Sequence, residues 1–140
     1  MVPIQVPQLL VNESQAYSSA RTDRALRPLD RAVEARDVVR ALREYGFTQV
    51  TIGRAIGAAE RSVRNWEKTS AIRPKNEERL QDLREIVLRL KDTLSPRGVG
   101  QWFRARNRVL GGRRPIEVLA GGNISAVREA AEAYLDGAYV

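Results

Sequence analysis

The chain has 140 residues, 43% of them hydrophobic and 29% charged, enough apolar material for one domain or for two small ones sharing a core. It contains neither cysteine nor histidine, which excludes disulfides, zinc fingers, thiol nucleophiles, His-based triads and imidazole proton shuttles together. Lys and Arg number 24 against 17 Asp and Glu, and the net charge of +7 favours a polyanionic partner such as nucleic acid.

Residues 1–27 carry two early prolines, a Ser-rich stretch and no sustained period, so they are expected to form a mobile arm. No signal-peptide pattern and no apolar run of membrane-span length occur, and a cytoplasmic protein is the expectation. Pro28 marks a helix start at or soon after it. Val38, Leu42 and Tyr45 then form an i, i+4, i+7 stripe that Gly46 ends.

Residues 47–67 read as two short helices held at an angle by one glycine. Thr48 caps the first, Phe47 and Ile52 stand where a hydrophobic staple closes, and Ile52, Ala55 and Ile56 face inward. Gly57 follows the last turn, where a left-handed residue is needed. The second helix has Val63 and Trp66 on one side and Glu60, Arg61, Arg64, Asn65 and Lys68 on the other. Two inward anchors beneath a cationic, amide-bearing face fit the reading helix of a helix-turn-helix unit, spanning residues 28–75 with the helix before it. Arginine forks onto guanine, asparagine pairs with adenine, and glutamate accepts from cytosine. Thr48 and Gln49 open the first helix, whose start commonly meets a phosphate. Arg54, Arg73 and Lys75, like Lys68, are candidate backbone contacts. Residues 1–75 carry 13 basic and 8 acidic side chains, against 11 and 9 in residues 76–140.

Beyond the break at Ile72–Lys75, Asn76 with Glu77 and Glu78 predicts a capped helix start. Leu80, Leu83, Val87, Leu90 and Leu94 then space as a heptad seam, widened by Ile86. The seam is either a core helix or the contact of a homodimer, and it is wide enough to serve both. Ser95-Pro96 ends it. A helix over 99–110 with Trp102 and Phe103 inward is expected, with Asn107 bracing the loop before Gly111. A short helix over 116–119 and a last one through Val127, Ala130, Ala131, Tyr134 and Leu135 follow, the last capped by Asn123 or Ser125 and stopped by Gly137. No strand pattern is visible, and an all-α fold is predicted.

The order Trp102, Asn107 with Leu110, Arg114-Pro115, Leu119 and a last helix ending in Gly137 resembles the toxin-binding domain of the Xre/MbcA/ParS class of antitoxins. With the helix-turn-helix in front, the resemblance covers about residues 36–140, and residues 76–140 would form the helical toxin-binding and dimerisation domain. It implies an antitoxin without catalytic activity, partner of a RES-domain toxin that attacks NAD. Such a protein blocks the toxin's NAD pocket and represses the shared operon by binding operator DNA. Arg114, Tyr134, Gly137 and the apolar tail Ala138, Tyr139 and Val140 are the expected toxin contacts, the tail as a plug. Ala58-Ala59 departs from the class, where Ser or Thr is common before the reading helix. The alternative is a stand-alone repressor whose C-terminal domain only dimerises or senses a ligand. No cofactor or metal is expected under either reading.

Overall fold

The computed structural model describes residues 28–137. The arm at 1–27 and the tail residues Ala138, Tyr139 and Val140 lie outside the described residues. Pro28 leads into a 3₁₀ turn at Leu29–Arg31, then α1 (Ala35–Leu42) and a second 3₁₀ turn (Arg43–Tyr45). There follow α2 (Gln49–Ile56), α3 (Glu60–Thr69), α4 (Pro74–Leu90), α5 (Pro96–Arg104), α6 (Pro115–Ala120) and α7 (Ile124–Leu135). Among the described residues there is no strand, only one isolated bridge between Asn107 and Arg113, so the fold is all-α.

Local chemistry accounts for most helix ends. Gly46 (φ +83°) and Gly57 (φ +83°) take the left-handed conformation that terminates the helices before them. Proline stands at the first position of α4, α5 and α6, where its missing N–H is no loss. Asn123, rather than Ser125, caps α7, its side chain accepting the Ala126 N–H at 3.2 Å.

One buried cluster runs unbroken from Leu29 to Ala131. Helices α1 and α2 pack on α3, while α2 also lies against α6, and α4 runs beneath α1, α2 and α7. Ion pairs of Arg128 with Asp82 and Glu85, and of Arg89 with Glu132, line the α4–α7 seam. Burial is the largest influence on Asp82 and raises its pKa, against the lowering effect of Arg128.

Three boundaries differ from expectation. Helix α4 begins at Pro74, so Asn76 sits inside its first turn instead of capping it. Ser95-Pro96 starts α5, with the Ser95 hydroxyl accepting the Gly98 N–H at 3.1 Å, and α4 has already ended at Leu90. Helix α5 stops at Arg104, not 110, because Asn107 takes over the chain direction. Its backbone N–H donates to Arg113 O at 3.0 Å, its carbonyl accepts Gly112 N–H at 2.8 Å, and its side-chain oxygen accepts Val109 N–H at 2.9 Å.

The residue 80–94 seam, read as a core helix, a homodimer contact or both, serves the core. Leu80, Leu83, Ile86, Val87 and Leu90 are each at most 1% exposed, all spent on the chain's own core. A second copy could reach them only by opening the fold.

Candidate nucleic-acid interface and partner surface

Helix α2 starts on a reciprocal cap. Thr48 Oγ1 accepts the Thr51 N–H at 3.1 Å, and Thr51 Oγ1 accepts the Thr48 N–H at 2.7 Å. Thr51 fills the role that Glu or Gln usually has there. The turn into α3 is the three residues 57–59. Gly57 and Ala58 both donate to Gly53 O at 2.8 Å, which curls the chain back on α2. Gly53 permits this: a Cβ on it would lie 2.6 Å from Ala58 O. Sequence patterning alone passed Gly53 over, since a lone helical glycine carries no sign of what approaches it.

Ala59 stands before α3 without a side-chain cap, as its chemistry requires. Val63 and Trp66 are buried, whereas Glu60, Arg61, Arg64, Asn65 and Lys68 are exposed. Arg61, Ser62, Arg64, Asn65 and Lys68 line one shallow trough of about 410 Å³. Thr48, Gln49 and Glu60 line a neighbouring groove of about 430 Å³ with Arg43, Gly46, Phe47 and Val50. The Glu60–Arg64 ion pair, 3.1 Å across one helical turn, joins the two. The seven residues expected to meet DNA therefore share one continuous face. Arg54 and Arg73 are exposed but line neither hollow, and Lys75 faces another cleft with Arg79 and Asp82.

Glu67 organises the edge of this face and was not anticipated. Its carboxylate accepts from Gln49 Nε2 at 2.5 Å and from Arg43 Nη2 at 2.6 Å, with Arg40 Nε at 4.0 Å. Gln49 is thus fixed in place rather than free, its amide tied across α2 to α3. Burial, then the adjacent Glu44 carboxylate, raises the Tyr45 hydroxyl above its ordinary range, so it adds no negative charge beside the groove. Two tertiary caps hold the unit from behind. Arg79 Nη1 donates to Ile56 O at 2.8 Å, and Arg36 Nη2 donates to Lys68 O at 2.8 Å. Ser70 (φ +59°) ends α3 in the left-handed region and receives the Arg36 backbone N–H at 3.1 Å, so it also caps α1.

On the other side, Trp102 and Phe103 are buried, with the Phe103 ring meeting both Trp102 and Phe47 edge-on at 5.1 Å. Arg114 braces its own neighbourhood, its Nε donating to Arg104 O and its Nη1 to Glu117, both at 3.0 Å. Tyr134 is half-buried against the core at the end of α7, and Gly137 (φ +70°) turns the chain there. Arg114 stands just before α6, and Tyr134 lies near the end of α7. Among the described residues no group of His, Cys, Asp and Glu could hold a metal ion, and no helix is long and apolar enough to cross a membrane.

No protein-family model matches the chain. It is 52% identical to the probable mycobacterial cidal antitoxin Rv3188 of Mycobacterium tuberculosis, over 80% of this chain and 96% of the relative. The chain belongs to the mycobacterial cidal antitoxin family. A second antitoxin of the family, MbcA of Mycobacterium bovis, is 27% identical over 77% of this chain and 96% of its own length. The fold matches a chain in the crystal structure of the M. tuberculosis MbcT–MbcA toxin–antitoxin complex with a TM-score of 0.65 and 27% identity. That match covers 78% of this antitoxin and 99% of the solved chain. The class resemblance drawn from Trp102, Asn107 and Arg114-Pro115 therefore holds at the level of the family. In this antitoxin those residues shape α5, the 107–113 turn and the start of α6.

Proposed function

We propose that this antitoxin neutralises a RES-domain toxin through residues 76–140 and represses the shared operon through residues 28–75, acting in the cytoplasm without catalysis of its own. The observation that carries the DNA half is the α2–α3 unit, with its three-residue turn and its exposed Arg61, Arg64, Asn65 and Lys68. The toxin half rests on the family, whose member MbcA was crystallised in a toxin–antitoxin complex. Helix α7 docks beside the toxin's NAD cleft with Tyr134 as anchor, and Gly137 directs the residues after it toward the cleft mouth.

Arg61→Ala should cost roughly 1–3 kcal/mol on operator DNA and relax preference at one base pair. Arg64→Ala should cost less, because Arg64 must first leave Glu60. Operator titrations of both variants test this, and unchanged binding of the double variant would refute the DNA half. For the toxin half, NAD depletion by the neighbouring reading frame's product is measured with the full antitoxin and with one truncated before Gly137. Restored NAD consumption by the toxin, with operator binding intact, is the expected result. Equal inhibition by the truncated form would confine the block to helix docking. Operator binding without any toxin capture would leave a stand-alone repressor.

A further inference from the structure

Helix α5 belongs to the half of the chain assigned to the toxin, yet it presses against the entrance of the DNA-facing unit. Gly100 makes this possible, since a Cβ there would lie 2.5 Å from Tyr45 O. The edge-on contact of Phe103 with Phe47 locks the approach one residue before the Thr48 cap. The next residue, Arg104, ends α5 and folds its guanidinium over Gly46, 3.4–3.9 Å from where a Cβ of Gly46 would stand. Gly46 also lines the groove that holds Thr48, Gln49 and Glu60, so Arg104 borders that groove from outside the α2–α3 unit.

Several arginines around the unit carry a carboxylate partner. Arg43 is paired with Glu67, Arg64 with Glu60, and Arg114 with Glu117. Arg104 is exposed and has no carboxylate at ion-pair distance among the described residues. Gln101 and Arg97, one and two turns back, are exposed on the same face of α5 at i, i+4, i+7 spacing. A stripe of guanidinium and amide side chains with no carboxylate in it, ending against bare backbone at the edge of a cationic face, complements the sugar–phosphate backbone of a duplex.

We propose that Arg104 binds a backbone phosphate of duplex DNA beside the start of α2, so that the DNA interface extends onto α5. This rests on the DNA reading above. The occupant is DNA rather than an acidic protein surface, because the groove that Arg104 borders is joined through the Glu60–Arg64 pair to the face that carries Arg61, Arg64 and Lys68.

The test is a salt series of anisotropy titrations of the full chain with two duplexes: the segment upstream of its own reading frame, and a mixed sequence of equal length. Loss of one phosphate contact in Arg104→Gln should lower the slope of log K against log salt by about 0.9, and weaken both duplexes about fivefold at physiological salt. Arg104→Lys should keep the wild-type slope. If Arg104→Gln keeps wild-type slope and affinity while Arg61→Ala is weakened, the α5 contact is refuted and the α2–α3 reading stands. If the wild type binds neither duplex at low salt, both fall. If Arg104→Gln loses only toxin capture, the occupant is the protein and the proposal is overturned. A lowered melting temperature in both Arg104 variants, with the slope lost in both, would assign Arg104 to packing and also overturn it.

Discussion

The α2–α3 unit and the α5–α6 segment are each two short helices, joined over residues 57–59 in the first and 105–114 in the second, and they are held together by different means. In the first, the determinants lie a few residues apart: Thr48 with Thr51, Gly57 with Gly53, and Val63 with Trp66 one turn apart on the same face. In the second, they come from distant parts of the chain. Phe103 rests on Phe47, Gly100 on the Tyr45 carbonyl, and Arg114 holds the last carbonyl of α5. Short-range determinants repeat as recognisable residue patterns, whereas long-range ones depend on which surfaces the fold happens to oppose. The second region was accordingly misjudged in its boundaries, while the first was placed nearly to the residue.

The largest effect should come from Phe103→Ala, which removes the ring shared by the two regions. Deleting a buried aromatic costs roughly 3–5 kcal/mol. Thermal unfolding should stay a single transition at lower temperature, because one core serves both halves. Two separate transitions would instead show the regions to be independent, and would break the comparison.

Next is Gly53→Ala, whose new methyl meets the Ala58 carbonyl inside the α2–α3 turn. Forcing extra volume into such a contact costs about 1–3 kcal/mol. Since the strain lies in the turn that aims α3, operator affinity should fall further than stability does. Parallel melting and DNA titrations check this. Equal losses in the two would mean that the turn does not set the angle of α3.

Asp82→Asn should have the smallest effect and probes the α4–α7 side. Its carboxyl is held above the ordinary range mainly by burial, so the folded state keeps the proton more tightly than the unfolded chain. Stability therefore falls as pH rises from the unfolded value through the folded one. The asparagine variant should lack that decline and show a flatter stability–pH curve just above the ordinary carboxylate range. An unaltered curve would mean that the pairing with Arg128 cancels the effect of burial at this site.

Much of the candidate site was legible beforehand because it is amphipathic. Val63 and Trp66 had to face inward, which left Arg61, Arg64, Asn65 and Lys68 outside. Glu67 was not legible, since nothing in its neighbours reveals that Gln49 and Arg43 converge on one of its oxygens from 18 and 24 positions away. The same holds for Arg104, which nothing in its neighbours marks out and which Gly46 and Gly100 bring to the groove.

Composition and local pattern by themselves determined an all-α chain without cysteine or histidine chemistry, the Thr48 cap, the Gly57 stop and the division of α3 into two faces. They suffice there because helix periodicity and capping are properties of residues within one or two turns of each other. Only the tertiary structure decided the use of the Leu80, Leu83, Val87 and Leu90 stripe. An apolar seam has the same spacing whether it meets another helix of its own chain or a second copy. Burial of those side chains under α1, α2 and α7 assigns it to the core, since apolar surface already removed from water has little left to gain from a partner.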